Sequence, residues 1–140
     1  MRLTLALSLL ATPALAWEFT PGPPCILTHD TGQAQVELTY DPTQPLYTIT
    51  VTRAQTWPDA PIFKMRFEGP QWAEIGTGRH MLSDDRRSVT VMDRGFGNVL
   101  NGLENNRAAH AILGSAEAVF PLEDAAEPVR KFRACDIPLS

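Results

Sequence analysis

Alternation with a period of two runs through most of this chain, and it dictates a β architecture. Val36, Leu38 and Tyr40 alternate with Gln35, Glu37 and Thr39. Tyr47, Ile49 and Val51 alternate with Thr48, Thr50 and Thr52, just after the turn-forming run Asp41-Pro42-Thr43-Gln44-Pro45. Successive side chains of a strand point to opposite faces, so each stretch reads as a strand with one buried and one wet face. Joined by so short a turn, the two predict a hairpin. Phe63, Met65 and Phe67 repeat the pattern against Lys64, Arg66 and Glu68, and Gly69-Pro70 ends it. Cys25 to His29 reads as a strand ahead of the turn signal Asp30-Thr31-Gly32. His80 to Leu82 and Val89 to Met92 flank the polar tip Ser83-Asp84-Asp85-Arg86-Arg87. Ala108 to Leu113 and Ala116 to Leu122 flank Gly114-Ser115, a two-residue loop suited to a type II′ turn. Turn signals roughly every 8–12 residues predict a mostly β fold, an antiparallel sandwich or open barrel.

Helical signals are few. Asp124 is placed to cap a C-terminal helix, with Glu127 and Pro128 in its first turn and Val129, Phe132 and Cys135 recurring every third residue. That spacing lays Val129 and Phe132 on the sheet and turns Arg130, Lys131 and Arg133 to solvent. A second, shorter helix or turn is expected over Asn98 to Asn105.

The N-terminus carries the marks of export. Met1-Arg2 is a short basic start, Leu3 to Leu10 is apolar apart from Thr4 and Ser8, and Ala14-Leu15-Ala16 is a small-x-small cleavage site. The apolar run falls short of the ~20 residues that span a bilayer. The reading is a signal peptide over 1–16, cleaved before Trp17, and a single domain over 17–140. No cysteine at position 17 offers a lipid acceptor, so a soluble, monomeric domain in the periplasm is expected, with no stable membrane insertion. Losing Arg2 makes the mature domain more acidic than the whole chain, whose net charge is −4. An acidic surface repels phosphate backbones, which disfavours nucleic acid as a partner. In an oxidising compartment the only two cysteines, Cys25 and Cys135, predict one disulfide closing nearly the whole domain.

Motifs that would announce chemistry are absent. Neither lysine, Lys64 or Lys131, follows a glycine, so there is no Walker A loop. There is no His-Glu-x-x-His, no cysteine pair at zinc spacing, no Cys-x-x-Cys and no Gly-x-Ser-x-Gly. Gly95-Phe96-Gly97 lacks the rest of a dinucleotide fingerprint, since Leu100 stands where a small residue is needed. No cofactor, metal ligand set or catalytic residue is therefore assigned. His29 beside Asp30, and His80 four positions before Asp84, are the pairs able to make a base with an orienting carboxylate. Each also fits a strand end next to a turn aspartate. His110, between alanines, reads as a packed strand residue, and a metal site from all three histidines needs three strands to converge.

The stretch from Val91 to Glu104 is the most distinctive, with three glycines, the Asp93-Arg94 pair and Phe96. It reads as a corner between sheets with Phe96 in the core, or as a binding loop with Arg94 for an anionic group and Phe96 as an apolar anchor. Trp57, in the stiff run Trp57-Pro58-Asp59-Ala60-Pro61, is the third candidate for a binding surface, as an edge cover or a ligand platform.

Behind the leader, the order Trp17-Glu18-Phe19, Cys25, Tyr40-Asp41-Pro42, Asp93-Arg94-Gly95-Phe96-Gly97 and Phe132-Arg133-Ala134-Cys135 resembles a family of small uncharacterised secreted proteins of Gram-negative bacteria. Some of that family carry the name of an excinuclease ABC component. That enzyme needs an ATP-binding loop and helicase motifs on a longer cytoplasmic chain, and the residues here argue against a repair function. The C-terminal helix ending in a cysteine is similar to that of invasion-associated locus B-like periplasmic proteins. That resemblance implies a disulfide-stapled β domain with an interaction role at the envelope. The expectation is a periplasmic binding or accessory protein, with another envelope protein as a partner. Its rivals are an inhibitor of an envelope-acting enzyme such as lysozyme, and a small hydrolase or metal-dependent enzyme using His29 or His80.

Overall fold

A computed structural model describes residues 16–135; all but the last residue of the signal peptide expected over 1–16, and residues 136–140, lie outside it. Ten strands and two helices follow one another in the order β1 (Glu18–Thr20), β2 (Cys25–Asp30), β3 (Ala34–Asp41), β4 (Leu46–Arg53), β5 (Phe63–Glu68), β6 (Ala73–Thr77), β7 (Met81–Leu82), β8 (Ser88–Asp93), α1 (Gly97–Asn105), β9 (Ala108–Leu113), β10 (Ala116–Pro121) and α2 (Ala126–Ala134). They build two open antiparallel sheets, ordered β1-β2-β3-β4-β8-β7 and β10-β9-β5-β6. The mostly β fold with a C-terminal helix is thus the one the alternation predicts, in its sandwich form.

Register makes the core. In the larger sheet Val36, Leu38 and Tyr40 stand opposite Val51, Ile49 and Tyr47, so the apolar faces of β3 and β4 coincide. In the smaller sheet Phe63, Met65 and Phe67 stand opposite Leu113, Ala111 and Ala109. Two of these pairs set a large side chain beside an alanine, which leaves room for the facing sheet to interdigitate. All twelve residues are buried. On the outer face of the larger sheet the alternating threonines pair hydroxyl to hydroxyl, Thr50 with Thr90 at 2.9 Å and Thr52 with Ser88 at 2.7 Å. Such cross-strand contacts add a few tenths of a kcal/mol to about 1 kcal/mol each. One edge is laced between sheets, where the indole N–H of the buried Trp17 donates to the Pro121 carbonyl at 2.9 Å.

The Gly114-Ser115 hairpin forms as expected: Leu113 pairs with Ala116, and Gly114 takes φ +58°, the sign a type II′ turn needs at its first central residue. Strands β1 and β6 escape a sequence reading, one because it has three residues and the other because Ala73 and Ile75 are separated by Glu74 and followed by Gly76. The start of α2 differs from expectation. Asp124 does not cap it but sits at φ +60°, and the helix starts at Ala126 without a side-chain cap. The fully buried Ala125 sets this start, its N–H bonded to the Leu122 carbonyl and its carbonyl to the Val129 N–H. Asp tolerates the left-handed turn this imposes. Arg133 also departs from its solvent-facing expectation: it is half-buried, and its guanidinium donates to Oδ1 of Asn101 on α1.

Helix α1 docks through a close approach. Gly102 is buried against the ring of the fully buried Phe67, and an added Cβ would lie 2.4 Å from that ring. Asn106 locks the helix end, accepting from the Gln71 N–H at 2.9 Å while donating to the carbonyls of Gln71 and Gly102. A Gly102→Ala substitution gains about 1 kcal/mol of helix propensity. The overlap with Phe67 outweighs it, and a net loss of about 1–2 kcal/mol is expected from the urea-unfolding midpoint. An alanine variant as stable as the parent would contradict this packing.

Candidate functional site

The Asp93-to-Gly97 corner is built from local constraints. Strand β8 ends at Asp93, whose carboxylate accepts the N–H of Arg94 at 2.6 Å. Phe96, 5% exposed, then turns inward and stacks on Tyr47 with ring centres 5.4 Å apart, and α1 begins at Gly97. The ring belongs to the core, which is the structural reading of this residue. It also walls two separate depressions.

The larger is a cleft of about 530 Å³ between the sheets. Its floor and sides are apolar: Ile49 and Val91 from the larger sheet, Phe63, Met65 and Ile75 from the smaller, and Val99 from α1. Ile75, Val91 and Val99 are only half-buried, so the sandwich is not closed by contact between the sheets at this end. Arg79 and Asp93 supply the charged lining. The volume falls within the range of small-molecule sites, roughly 300–1,000 Å³, which are likewise mostly apolar with a few polar groups. The second depression, about 400 Å³, is lined by Arg94 and Arg133 with Tyr40, Tyr47 and Phe96.

The three binding candidates are thus separated. Arg94 and Phe96 meet at one depression. Trp57 does not join them and is no ligand platform: its ring is 1% exposed. Its indole N–H donates to the Val51 carbonyl at 3.2 Å, its ring sets edge-on to Phe63, and the Arg53 guanidinium lies 4.7 Å above it. The stiff loop folds the indole inward because its one polar atom finds a backbone acceptor there.

Neither histidine–aspartate pair is assembled. His29 is 7% exposed, stacked on Trp17 at 4.8 Å, while Asp30 accepts the Gly32 N–H at 2.7 Å in the turn. His80 places Nε2 3.0 Å from the Ala60 carbonyl. A carbonyl only accepts, so Nε2 carries the proton. His110 sits between Glu117 and Glu68, with Nε2 3.4 Å from the latter. The histidines therefore occupy three different places, and among the described residues no group of three or more His, Cys, Asp or Glu is arranged to hold a metal ion. Shifted carboxylates mark turns instead: the Thr43 hydroxyl and N–H hold Asp41 below its ordinary value, and the Ser83 hydroxyl and Arg87 N–H do so for Asp85. Neither lines the cleft.

The cleft residues Ile75 and Arg79 and the cation Arg133 were not legible as site residues. Their only signals were a weak strand and a helix position that pointed to solvent. No family model, no curated protein and no solved structure matches this chain.

Proposed function

We propose that this chain is an exported, non-catalytic binding protein that lodges an apolar group of its ligand in the cleft between its two sheets. The cleft carries the reading: eight apolar side chains, Met92 and Phe96 among them, line about 530 Å³ of space between the sheets. The Cys25–Cys135 bridge supports an oxidising compartment, and the leader-like residues 1–16 support the periplasm. Among the described residues no helix is long and apolar enough to cross a membrane. The resemblance to small secreted proteins of Gram-negative bacteria is in keeping with an accessory role at the envelope.

The test uses protein recovered from the periplasmic fraction, whose first residue is expected to be Trp17. Titration with an apolar fluorophore such as anilinonaphthalene sulfonate should saturate at one equivalent. Ile75→Trp, which fills the cleft from a half-exposed edge strand, should weaken binding at least about tenfold, or ~1.4 kcal/mol, with the circular dichroism spectrum unchanged. Absence of uptake, or equal uptake by the folded variant, would overturn the reading.

A further inference from the structure

The depression on the other side of Phe96 from the cleft has the opposite chemistry. The chain carries 16 acidic and 12 basic residues, yet among the described residues no carboxylate lines this space and two guanidinia do. Arg133 reaches it from the last turn of α2, oriented by the bond from its terminal nitrogen to Asn101 on α1. Its Nε is buried with no hydrogen-bond partner among the described residues. Leaving such a donor unmade is costly, more so when it is charged. Arg94 lines the same space from the β8–α1 corner, is exposed, and forms no ion pair among the described residues. Between them lies an aromatic floor, Tyr40 and Tyr47 at 4.1 Å and Tyr47 and Phe96 at 5.4 Å. Helix α1 opens into the same space at Gly97, with no side-chain cap and no acidic residue in its first turn, which adds positive potential.

We infer that this depression is a second binding site, for the oxyanion of a small phosphate ester or carboxylate. Guanidinium presents paired N–H donors in the geometry that phosphate and carboxylate oxygens accept. Two of them line this space, one oriented by Asn101 and one exposed. The assignment is independent of what fills the intersheet cleft, because different residues and a different chemistry carry it.

The experiment is an amide-shift titration of the ¹⁵N-labelled full chain at low salt with two probes, phenyl phosphate and benzoate. At least one should produce saturable shifts at Arg94, Gly95 and Gly97 with a dissociation constant at or below about 1 mM. Response to phenyl phosphate alone assigns a phosphate ester, to benzoate alone a carboxylate, and to both the shared oxyanion. Arg94→Gln and Arg133→Gln should each weaken binding at least about tenfold. Arg130→Gln, the same charge change on the exposed face of α2, should leave it unchanged and so excludes a net-charge effect. If Arg133→Gln does not fold, the exposed Arg94→Gln decides alone. No shift at those amides up to about 10 mM of either probe, or parental affinity in Arg94→Gln, overturns the site.

Discussion

Trp57→Ala should cost about 3–5 kcal/mol of folding stability, the range for deleting a buried tryptophan side chain. The ring is 1% exposed, so nearly all its apolar surface is withdrawn from water. Three specific contacts vanish with it: the N–H bond to Val51, the edge-on contact with Phe63 and the cation held above it by Arg53. The loss leaves the Val51 carbonyl without its side-chain donor and opens a cavity between β4 and β5 that the stiff proline loop cannot collapse to fill. For a domain of this size the thermal midpoint should fall on the order of 10–20 °C. Arg94→Ala, by contrast, removes an exposed side chain and should stay within about 0.5 kcal/mol of the parent. The two residues looked alike as binding candidates in the sequence. A stable Trp57→Ala protein would return Trp57 to the surface.

That contrast shows what the sequence could and could not reveal. Strand identity was legible wherever alternation lasted five residues or more, because a period-two pattern has only one folded interpretation. Within the β3–β4 hairpin the pair Val36–Val51 then follows from the short turn and the shared buried face, whereas nothing in the pattern of β5 says that Phe63 will meet Leu113 of β9. Position in depth was not legible. Trp57 and Phe96 lie in loops, where no period says whether a ring points in or out, and both went in because a backbone carbonyl or an aromatic neighbour awaited them. Long-range partners were equally hidden. Nothing in Phe132-Arg133-Ala134 announces that Arg133 will meet Asn101, since that contact requires α1 and α2 to pack side by side. Half of the cationic depression depends on it. The apolar cleft was hidden for a different reason: it is the place where the two sheets fail to touch, and sequence patterns describe contacts.

The disulfide is where local and global levels meet, and its removal should have the other large effect. Cys25 opens β2 and is 2% exposed; Cys135 follows α2, with 6.5 Å between their Cα atoms and 110 positions between them in sequence. The cross-link closes nearly all of the described chain, for which the chain-entropy model gives about 4.7 kcal/mol as an upper bound. A Cys25→Ala, Cys135→Ala double variant should therefore fold but lose about 2–4 kcal/mol. Part of any loss comes from the small cavity left at Cys25, so reduced parent protein, which keeps the sulfur atoms, is the needed comparison. The sheet should survive in both, because β2 remains paired with β3 from Cys25–Tyr40 through Asp30–Gln35. Helix α2 should remain docked as well, since Val129 and Phe132 are fully buried and each contributes roughly 1.5–3 kcal/mol of burial. Yet α2 packs mainly on β1, β2 and α1, with the Phe132 ring reaching Tyr47 of β4, while β3 and β4 are each paired on both sides. Hydrogen exchange in reduced protein should consequently accelerate first at the α2 amides and last at β3 and β4. Two free thiols in the native protein, or a double variant as stable as the parent, would show that the bridge does not hold the fold.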